Sequence, residues 1–300
     1  MTEAELTDAE PTEAELHDGS PIELEIHGTG PALLLPVDPR PAEGAKADEL
    51  RRWGVDPALG RSLVEGLSDT FRVVAFAYEG HVMETPEADT LTPGNVAADL
   101  LAVADAAGAD RFAYYGYSWL ALSGLQLAIR TDRLSALVMG GFPPIGGPYA
   151  EMLRVTTAAH EMAAHKTSGA GPGTQSYPEQ SAGDPDAYDW SAVEVSATEA
   201  QTRQFVTLYE ALQGFDDRAA QTRITCPRLC FAGSADKIPY GESWGGVTVD
   251  IGGAVMDQRA ELEAAGWDVR VLDGLDHTQA MQPANVLPVL KPWLASRLSP

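Results

Sequence analysis

The chain has 300 residues, a net charge of −24 and only four lysines, while 44% of its residues are hydrophobic. This length fits one large domain or two small ones, and the composition is sufficient to bury a full core. The excess of negative charge argues against nucleic acid or an anionic membrane as a partner.

The N-terminal segment is acidic and repetitive. Residues 2–11 and 12–21 are near copies of each other, and the first 25 residues hold nine acids and no Lys or Arg. We therefore predict a disordered, solvating tail over residues 1–17. Residues 22–26 alternate apolar and acidic side chains, a pattern typical of a strand with one face in water.

The sequence contains no segment that predicts export or membrane insertion. No apolar run reaches the length of a transmembrane helix, about 18 residues, and the N-terminus lacks the basic and apolar regions of a signal peptide. Cys226 and Cys230 would lie too far apart along one strand to form a disulfide, so we interpret them as free thiols. We expect a cytoplasmic protein.

Buried strands alternate with helices through the first half of the chain. Apolar runs predict strands at 32–35, 71–77, 111–115 and 134–139. Helical patterns lie between them, and hairpin signals do not, so we predict a mostly parallel sheet with right-handed crossovers. Such sheets form their sites at the carboxyl ends of the strands, here near Pro36, Tyr78, Gly116 and Gly140.

Ser118 lies at an abrupt junction between a predicted strand and a predicted helix. Gly116 ends the strand, and residues 119–130 are too apolar all round for a surface helix. Backbone N–H groups and the dipole at the start of that helix favour a developing negative charge. The junction therefore predicts a nucleophile elbow that lifts the Ser118 hydroxyl out of the sheet. A serine that merely caps a core helix is the simpler alternative.

The periodicity changes between residues 142 and 225. Helical segments at 149–165 and 199–213 flank a Gly/Ser/Pro/Asp-rich stretch at 168–186. This pattern is typical of a cap over the crevice with a mobile middle. The sheet then resumes with predicted strands at 228–232 and 267–272, and a helix is predicted between them at 257–265.

The two strands of the C-terminal part are each followed by a residue suited to activating a serine. A serine nucleophile needs a base, and that base needs an orienting acid. Asp236 follows the strand at 228–232, and His277 follows the strand at 267–272. We expect the adjacent Asp276 to be exposed, because neighbouring side chains diverge. A longer connection before the last strand predicts a second flap that carries Trp244.

Four short motifs point to one family: Gly116-Tyr-Ser-Trp, Gly233-Ser-Ala-Asp, Gly274-Leu-Asp-His and Asp18-Gly…His27-Gly-Thr-Gly-Pro. Together they resemble the α/β-hydrolase superfamily over residues 18–300, with Leu120 in place of the second glycine of Gly-x-Ser-x-Gly. The resemblance implies a mostly parallel, doubly wound α/β sheet over residues 18–141 and 223–300. It also implies that residues 142–222 form a helical cap.

The order Ser118, Asp236, His277 along the chain is that of the family's catalytic triad. Ser118 is expected to attack a carbonyl carbon, and His277 to accept its proton and return it to the leaving group. Asp236 is expected to hold the imidazole tautomer. The resemblance implies no metal and no organic cofactor.

Two backbone N–H groups are expected to stabilise the oxyanion. One belongs to Trp119. The other belongs to Asp38 or Val37, since Pro36 has no N–H and replaces a residue of the family's usual His-Gly. Side chains expected to contact substrate are those of Tyr117, His81 and Trp244.

The leading prediction is a serine hydrolase that cleaves a small or medium carboxylic ester, lactone or thioester through an acyl-enzyme intermediate. An alternative is non-hydrolytic chemistry on the same residues, such as acyl transfer, cyclisation or C–C bond cleavage. A further alternative is a small-molecule binding protein on a degenerate hydrolase fold. The expected partner is a small-molecule acyl substrate, and a homo-oligomer is left open.

Overall fold

The computed structural model describes residues 12–168 and 197–298. The strands are β1 Thr12–Glu15, β2 Pro21–His27, β3 Ala32–Leu35, β4 Arg72–Ala75, β5 Phe112–Tyr117, β6 Leu134–Gly140, β7 Arg228–Gly233, β8 Lys237–Pro239, β9 Thr248–Asp250 and β10 Trp267–Leu272. The helices are α1 Gly44–Arg52, α2 Leu59–Leu67, α3 Tyr78–Glu84, α4 Pro93–Ala106, α5 Trp119–Ala128, α6 Tyr149–Ser168, α7 Glu199–Glu210, α8 Asp217–Ala220, α9 Ile251–Asp257, α10 Arg259–Ala264, α11 His277–Ala280 and α12 Pro283–Leu298.

One sheet organises the molecule, with strand order β1-β2-β4-β3-β5-β6-β7-β10. β1 pairs antiparallel with β2, and β2 with β4. The pairings from β4 through β3, β5, β6 and β7 to β10 are parallel. This confirms the predicted α/β class, with a mostly parallel, doubly wound sheet and a helical insertion between β6 and β7. β8 and β9 form a small antiparallel hairpin.

The core lies on both faces of this sheet, and β5 shows why. Phe112 and Tyr114 belong to one apolar cluster, together with residues of α4 and α5. Ala113 and Tyr115 belong to the other cluster, together with residues of α2 and α12. Both faces of a parallel strand are covered by helices, so β5 is apolar on both sides rather than alternating with polar residues.

The structure corrects the predicted tail at the N-terminus. Tail was expected through residue 17, but Thr12–Glu15 forms β1 at the edge of the sheet, with Ala14 opposite Ile22. Ala14 and Leu16 are 1% and 3% exposed, because this edge packs against α4. Their spacing of two is itself a strand pattern, which the acidic composition around it obscured. Residues 1–11 lie outside the described residues.

The insertion between β6 and β7 contains α6 and α7, which pack against each other. They lie where helices were predicted at 149–165 and 199–213. The capping box of Thr198 and Gln201 sets the start of α7, since each side chain accepts from the other residue's backbone N–H. The predicted mobile stretch at 168–186 lies, after its first residue, outside the described residues.

Two helical regions of the structure differ from the sequence predictions. A single helix was expected over 257–265, but α9 begins earlier, at Ile251, and α10 follows it from Arg259. The early start has a local cause, because the Asp250 carboxylate accepts a hydrogen bond of 2.7 Å from the Gly253 N–H and caps the helix. Tyr78–Glu84, expected only as the end of a strand, is helix α3.

Cys226 and Cys230 are both free thiols, as predicted. Among the described residues, no helix has the length and apolar character needed to cross a membrane.

Two adjacent tyrosines of β5 allow a matched test of the core. The Tyr114 hydroxyl donates a buried hydrogen bond of 2.8 Å to the Leu120 carbonyl, so Y114F should lower the free energy of unfolding by about 1 kcal/mol. Within the described residues the Tyr115 hydroxyl has no hydrogen-bond partner, so Y115F should change the free energy of unfolding by less than about 0.5 kcal/mol. Urea unfolding checks both. Equal losses would contradict the role of the Tyr114 hydrogen bond.

Candidate active site

Ser118 has the backbone geometry of a strained turn between β5 and α5. Its φ is 56° and its ψ is −128°, and no other non-glycine residue of the described chain has a positive φ. A non-glycine residue in such a conformation carries strain that the surrounding structure must hold in place. The Ser118 N–H donates to the Gly140 carbonyl at 2.8 Å, which fixes the turn to β6.

Close packing against Tyr114 forces this turn. A Cβ on Gly116 would lie 2.3 Å from the Leu120 carbonyl oxygen and 2.8 Å from Tyr114 Cε1. A Cβ on Gly124, one helical turn after Leu120 in α5, would lie 2.6 Å from the same Tyr114 Cε1. The glycine that the motif lacks at Leu120 is therefore not needed there. Gly124 allows α5 to approach the strand, and the Leu120 side chain is buried in the core.

Asp236 and His277 form a hydrogen-bonded pair past the ends of β7 and β10. His277 Nδ1 lies 2.8 Å from Asp236 Oδ2, and the Asp236 side chain is completely buried. The second oxygen, Oδ1, is buried and has no hydrogen-bond partner among the described residues. A buried carboxylate with this one partner favours a proton on Nδ1, and it thereby fixes the tautomer and the orientation of the ring.

The position of the pair is set by its own loops. Asp236 accepts a backbone hydrogen bond of 2.9 Å from Gly252 in α9. His277 is the first residue of α11, which is capped by Asp276 through a hydrogen bond of 2.7 Å from the Gln279 N–H. Asp276 is exposed, as predicted, and its carboxylate serves the helix rather than the imidazole.

Ser118 and His277 are linked through Tyr117 rather than directly. The Tyr117 ring packs against the His277 ring, with centroids 5.0 Å apart, and its hydroxyl donates to the His277 carbonyl at 2.7 Å. Among the described residues, no hydrogen bond joins the Ser118 hydroxyl to His277. In proteins without substrate such bonds are often long and tighten only on binding.

Tyr117 was expected to touch substrate, but its hydroxyl is used inside the protein. Burial, followed by the nearby Asp236 charge, raises the pKa of Tyr117 well above its usual value, and the same two causes raise that of Tyr240. Both phenols are therefore neutral at physiological pH, and Tyr117 supports the His277 loop.

The two candidates for the second oxyanion donor are now distinguishable. The Val37 N–H donates to the Leu35 carbonyl at 2.8 Å and is not available. The N–H groups of Asp38 and Trp119 have no acceptor among the described residues. The Asp38 carboxylate accepts from the backbone N–H and Nε of Arg40, at 3.0 and 3.2 Å, and is half exposed. Arg40 thus holds the side chain, while the backbone N–H makes no hydrogen bond within the described part of the chain.

The structure shows which parts of the protein His81 and Trp244 contact. His81 Nε2 lies 2.9 Å from the Ser20 hydroxyl, so this ring contacts the turn between β1 and β2. Trp244 lies in the hairpin of β8 and β9, beside α6. Its Nε1 is buried without a hydrogen-bond partner among the described residues. The predicted flap is thus present, and the turn that carries Trp244 lies beside the insertion.

Sequence reasoning missed Glu79 and Phe205 as neighbours of Trp119, the residue after Ser118. Glu79 Oε1 accepts a hydrogen bond of 3.3 Å from the Trp119 indole, and Phe205 of α7 packs edge-on against that indole at 5.4 Å. Glu79 is exposed at the surface. Its position after β4 was the available signal. The contact of Phe205 had none, because it joins distant segments.

One surface hollow and one cluster spaced to hold a metal ion are made of residues other than the predicted site residues. A surface hollow lined by Ile145, Gln221 and Arg228 contains none of the predicted site residues. In the described part of the chain, the group of side chains spaced to hold a metal ion is a separate one, made of residues from β1–β2, α4 and the loop before it.

No family model matches the chain, and no curated protein sequence matches it at a significant level.

Solved structures, in contrast, match the fold over nearly the whole chain. The enol-lactonase from Burkholderia xenovorans LB400 is 18% identical, with a TM-score of 0.57 over 96% of this chain and 100% of that one. The thermophilic esterase from Thermogutta terrifontis is 17% identical, with a TM-score of 0.54 over 97% and 100%. The bottromycin epimerase BotH is 14% identical, with a TM-score of 0.54 over 97% and 100%. At these identities the likeness is one of fold, and one fold hosts several reactions.

Substitution of Gly116 tests the packing that forces the turn. Because a Cβ there would meet the Leu120 carbonyl at 2.3 Å, G116A should lower the free energy of unfolding by about 3 kcal/mol. Gly80 is the matched control, since its nearest neighbour would be 3.7 Å away, and G80A should stay within about 1 kcal/mol of the parent. Urea unfolding measures both. A G116A protein as stable as G80A would contradict this account of the turn.

Proposed function

Starting from the α/β-hydrolase fold of this chain, we propose that it is a serine hydrolase for a small or medium carboxylic ester, lactone or thioester. One observation carries the proposal. The described non-glycine residue with a positive φ is a serine at a strand end, and the Asp236–His277 pair follows two other strands of the same sheet. Backbone strain of this kind is concentrated at functional sites.

The first half of the reaction forms an acyl-enzyme. The Ser118 oxygen attacks the carbonyl carbon while His277 Nε2 takes the hydroxyl proton. Nδ1 keeps its own proton, because that proton is shared with Asp236 at 2.8 Å. Collapse of the tetrahedral intermediate breaks the bond to the alcohol, enol or thiol, and Nε2 gives that leaving group its proton.

The second half regenerates the serine. Water attacks the acyl carbon, and His277 Nε2 takes one proton from it. Collapse then expels the Ser118 oxygen, which recovers the proton from Nε2 as the carboxylic acid leaves. Trp119 and Asp38 are the proposed sources of the two N–H donors to the oxyanion in both halves, since their N–H groups lack acceptors among the described residues.

An aromatic wall beside Ser118 supports an acyl group with apolar character. Trp119 packs against Tyr78 at 6.1 Å and against Phe205 at 5.4 Å. Phe205 belongs to the insertion, so the proposed cap contributes to the acyl pocket. Rings in such contacts supply apolar area with little loss of conformational freedom.

Labelling by a fluorophosphonate tests the nucleophile. Intact mass spectrometry should show one adduct on the parent protein and none on S118A, because a fluorophosphonate reacts with an activated serine. S123A is the matched control. Ser123 lies one turn further along α5 and only donates to the Trp119 carbonyl at 2.9 Å, so its variant should label like the parent. D236N should label at least about 10³-fold more slowly, since it disturbs the imidazole tautomer.

An absence of labelling in the folded parent, or equal labelling of S118A, would contradict the proposal. An ester screen in ¹⁸O-labelled water then separates hydrolysis from acyl transfer. Hydrolysis places one ¹⁸O in the carboxylic acid product, whereas transfer, cyclisation or C–C cleavage leaves a different product.

The role of Asp38 can be divided between its backbone and its side chain. D38A keeps the N–H and removes a carboxylate that faces Arg40, so kcat/KM for p-nitrophenyl acetate should stay within about threefold of the parent. The kcat/KM of D236N, measured in the same assay, should be about 10⁴-fold lower than that of the parent. A loss beyond about 100-fold in D38A would mean that the carboxylate itself acts on the substrate.

A further inference from the structure

Three ionisable side chains from separate segments meet on the far side of Tyr78 from Trp119. His17 lies in the turn between β1 and β2, Glu87 in the loop between α3 and α4, and Asp99 in α4. One ligand atom of each lies within 4.8 Å of the others. Glu87 and Asp99 are 5% and 0% exposed, and the His17 side chain is 17% exposed. The cluster is thus buried, with the imidazole at its opening.

Asp99 is fully engaged and holds the imidazole in place. Its Oδ1 lies 2.9 Å from His17 Nδ1 and accepts the His17 backbone N–H at 2.7 Å. Its Oδ2 accepts the Tyr78 hydroxyl at 2.7 Å. When the His17 imidazole is neutral and its proton lies on Nδ1, shared with Asp99, its lone pair is on Nε2. A carboxylate that binds the outer nitrogen in this way is the usual support of a metal-binding histidine.

Glu87 is the group that this arrangement leaves unsatisfied. Among the described residues, neither of its carboxylate oxygens has a hydrogen-bond partner, although both are buried. Its Oε2 lies 3.6 Å from His17 Nε2, too far for a hydrogen bond. A buried carboxylate without donors is costly, so a positive charge between these two atoms would stabilise the cluster.

The separation of the two atoms fits a shared ligand position on a metal. Two ligands at the usual zinc distances lie about 3.3–3.5 Å apart at tetrahedral to slightly wider angles, close to the 3.6 Å found here. We propose that His17 Nε2 and the Glu87 carboxylate bind a divalent transition-metal ion such as Zn²⁺, with Asp99 orienting the imidazole. Imidazole combined with carboxylate is a donor set that suits this class of cation.

The site would join three parts of the fold. His17 belongs to the edge strand pair, and the Glu87 backbone N–H donates to Gln204 of α7 at 3.1 Å. Tyr78, which donates to Asp99, packs its ring against Trp119 beside Ser118. A bound cation would therefore tie the N-terminal edge to the insertion and to the wall of the proposed acyl pocket. Its binding can be measured without any assumption about catalysis.

Calorimetric titration of the chelator-treated full chain with ZnCl₂ tests the proposal. The parent should bind one ion per chain. E87Q and H17Q should each bind it at least about tenfold more weakly, because each removes a ligand. E84Q is the matched control. Glu84 is an exposed acid at the end of α3, three residues before Glu87, so its variant should bind the ion like the parent. Co²⁺ in place of Zn²⁺ adds a visible spectrum that reports its ligands.

Three results would overturn the site. The first is an absence of binding to the folded parent, in which case a proton occupies the cluster. The second is parent-like binding by both E87Q and H17Q, which would assign the ion to another site such as the Asp236–His277 pair. The third is equal weakening by E84Q, which would mean diffuse attraction to an acidic surface. Far-ultraviolet circular dichroism verifies that each variant is folded. If E87Q does not fold, the binding measured for H17Q decides the outcome.

Discussion

The contact between β5 and α5 around Tyr114 is the constraint on which the proposed site depends. Gly116 and Gly124 let the strand and the helix approach the tyrosine ring, and the hydroxyl of that ring bonds to the Leu120 carbonyl at 2.8 Å. The chain can reverse from strand to helix in so little space only with Ser118 at φ 56°. The strain is local, and a large buried core on both faces of the sheet compensates for it.

The second requirement of the proposed site is a buried carboxylate in contact with the His277 ring. Asp236 is completely buried, and His277 Nδ1 is its hydrogen-bond partner. Removing a carboxylate from water is costly. The pair is therefore better viewed as a means of orienting and polarising the imidazole than as a source of stability. Tyr117, beneath the same loop, bonds to the His277 carbonyl and fixes the position from which that ring acts.

Polar groups on the other side of Ser118 extend this organisation toward the N-terminus. Trp119 contacts Glu79, Tyr78 and Phe205, and Tyr78 leads to Asp99. The proposed pocket wall is thus backed by a buried polar cluster instead of by a purely apolar core. Such clusters are stabilising only when each member is satisfied. The two Glu87 oxygens accept no hydrogen bond from the described residues, and the proposed cation would satisfy them.

The sequence by itself determined the fold class and the strand ends. Periodicity, glycines and turn residues are local signals, so they located the sheet and set Ser118, Asp236 and His277 at or shortly after the ends of β5, β7 and β10. Tertiary structure alone decided where side chains point and what distant segments share. It directed His81 to Ser20, engaged the Val37 N–H and made a strand of residues 12–15. It also joined His17 to Asp99, 82 positions away. These outcomes depend on packing between segments far apart in the chain, and no local pattern encodes such contacts.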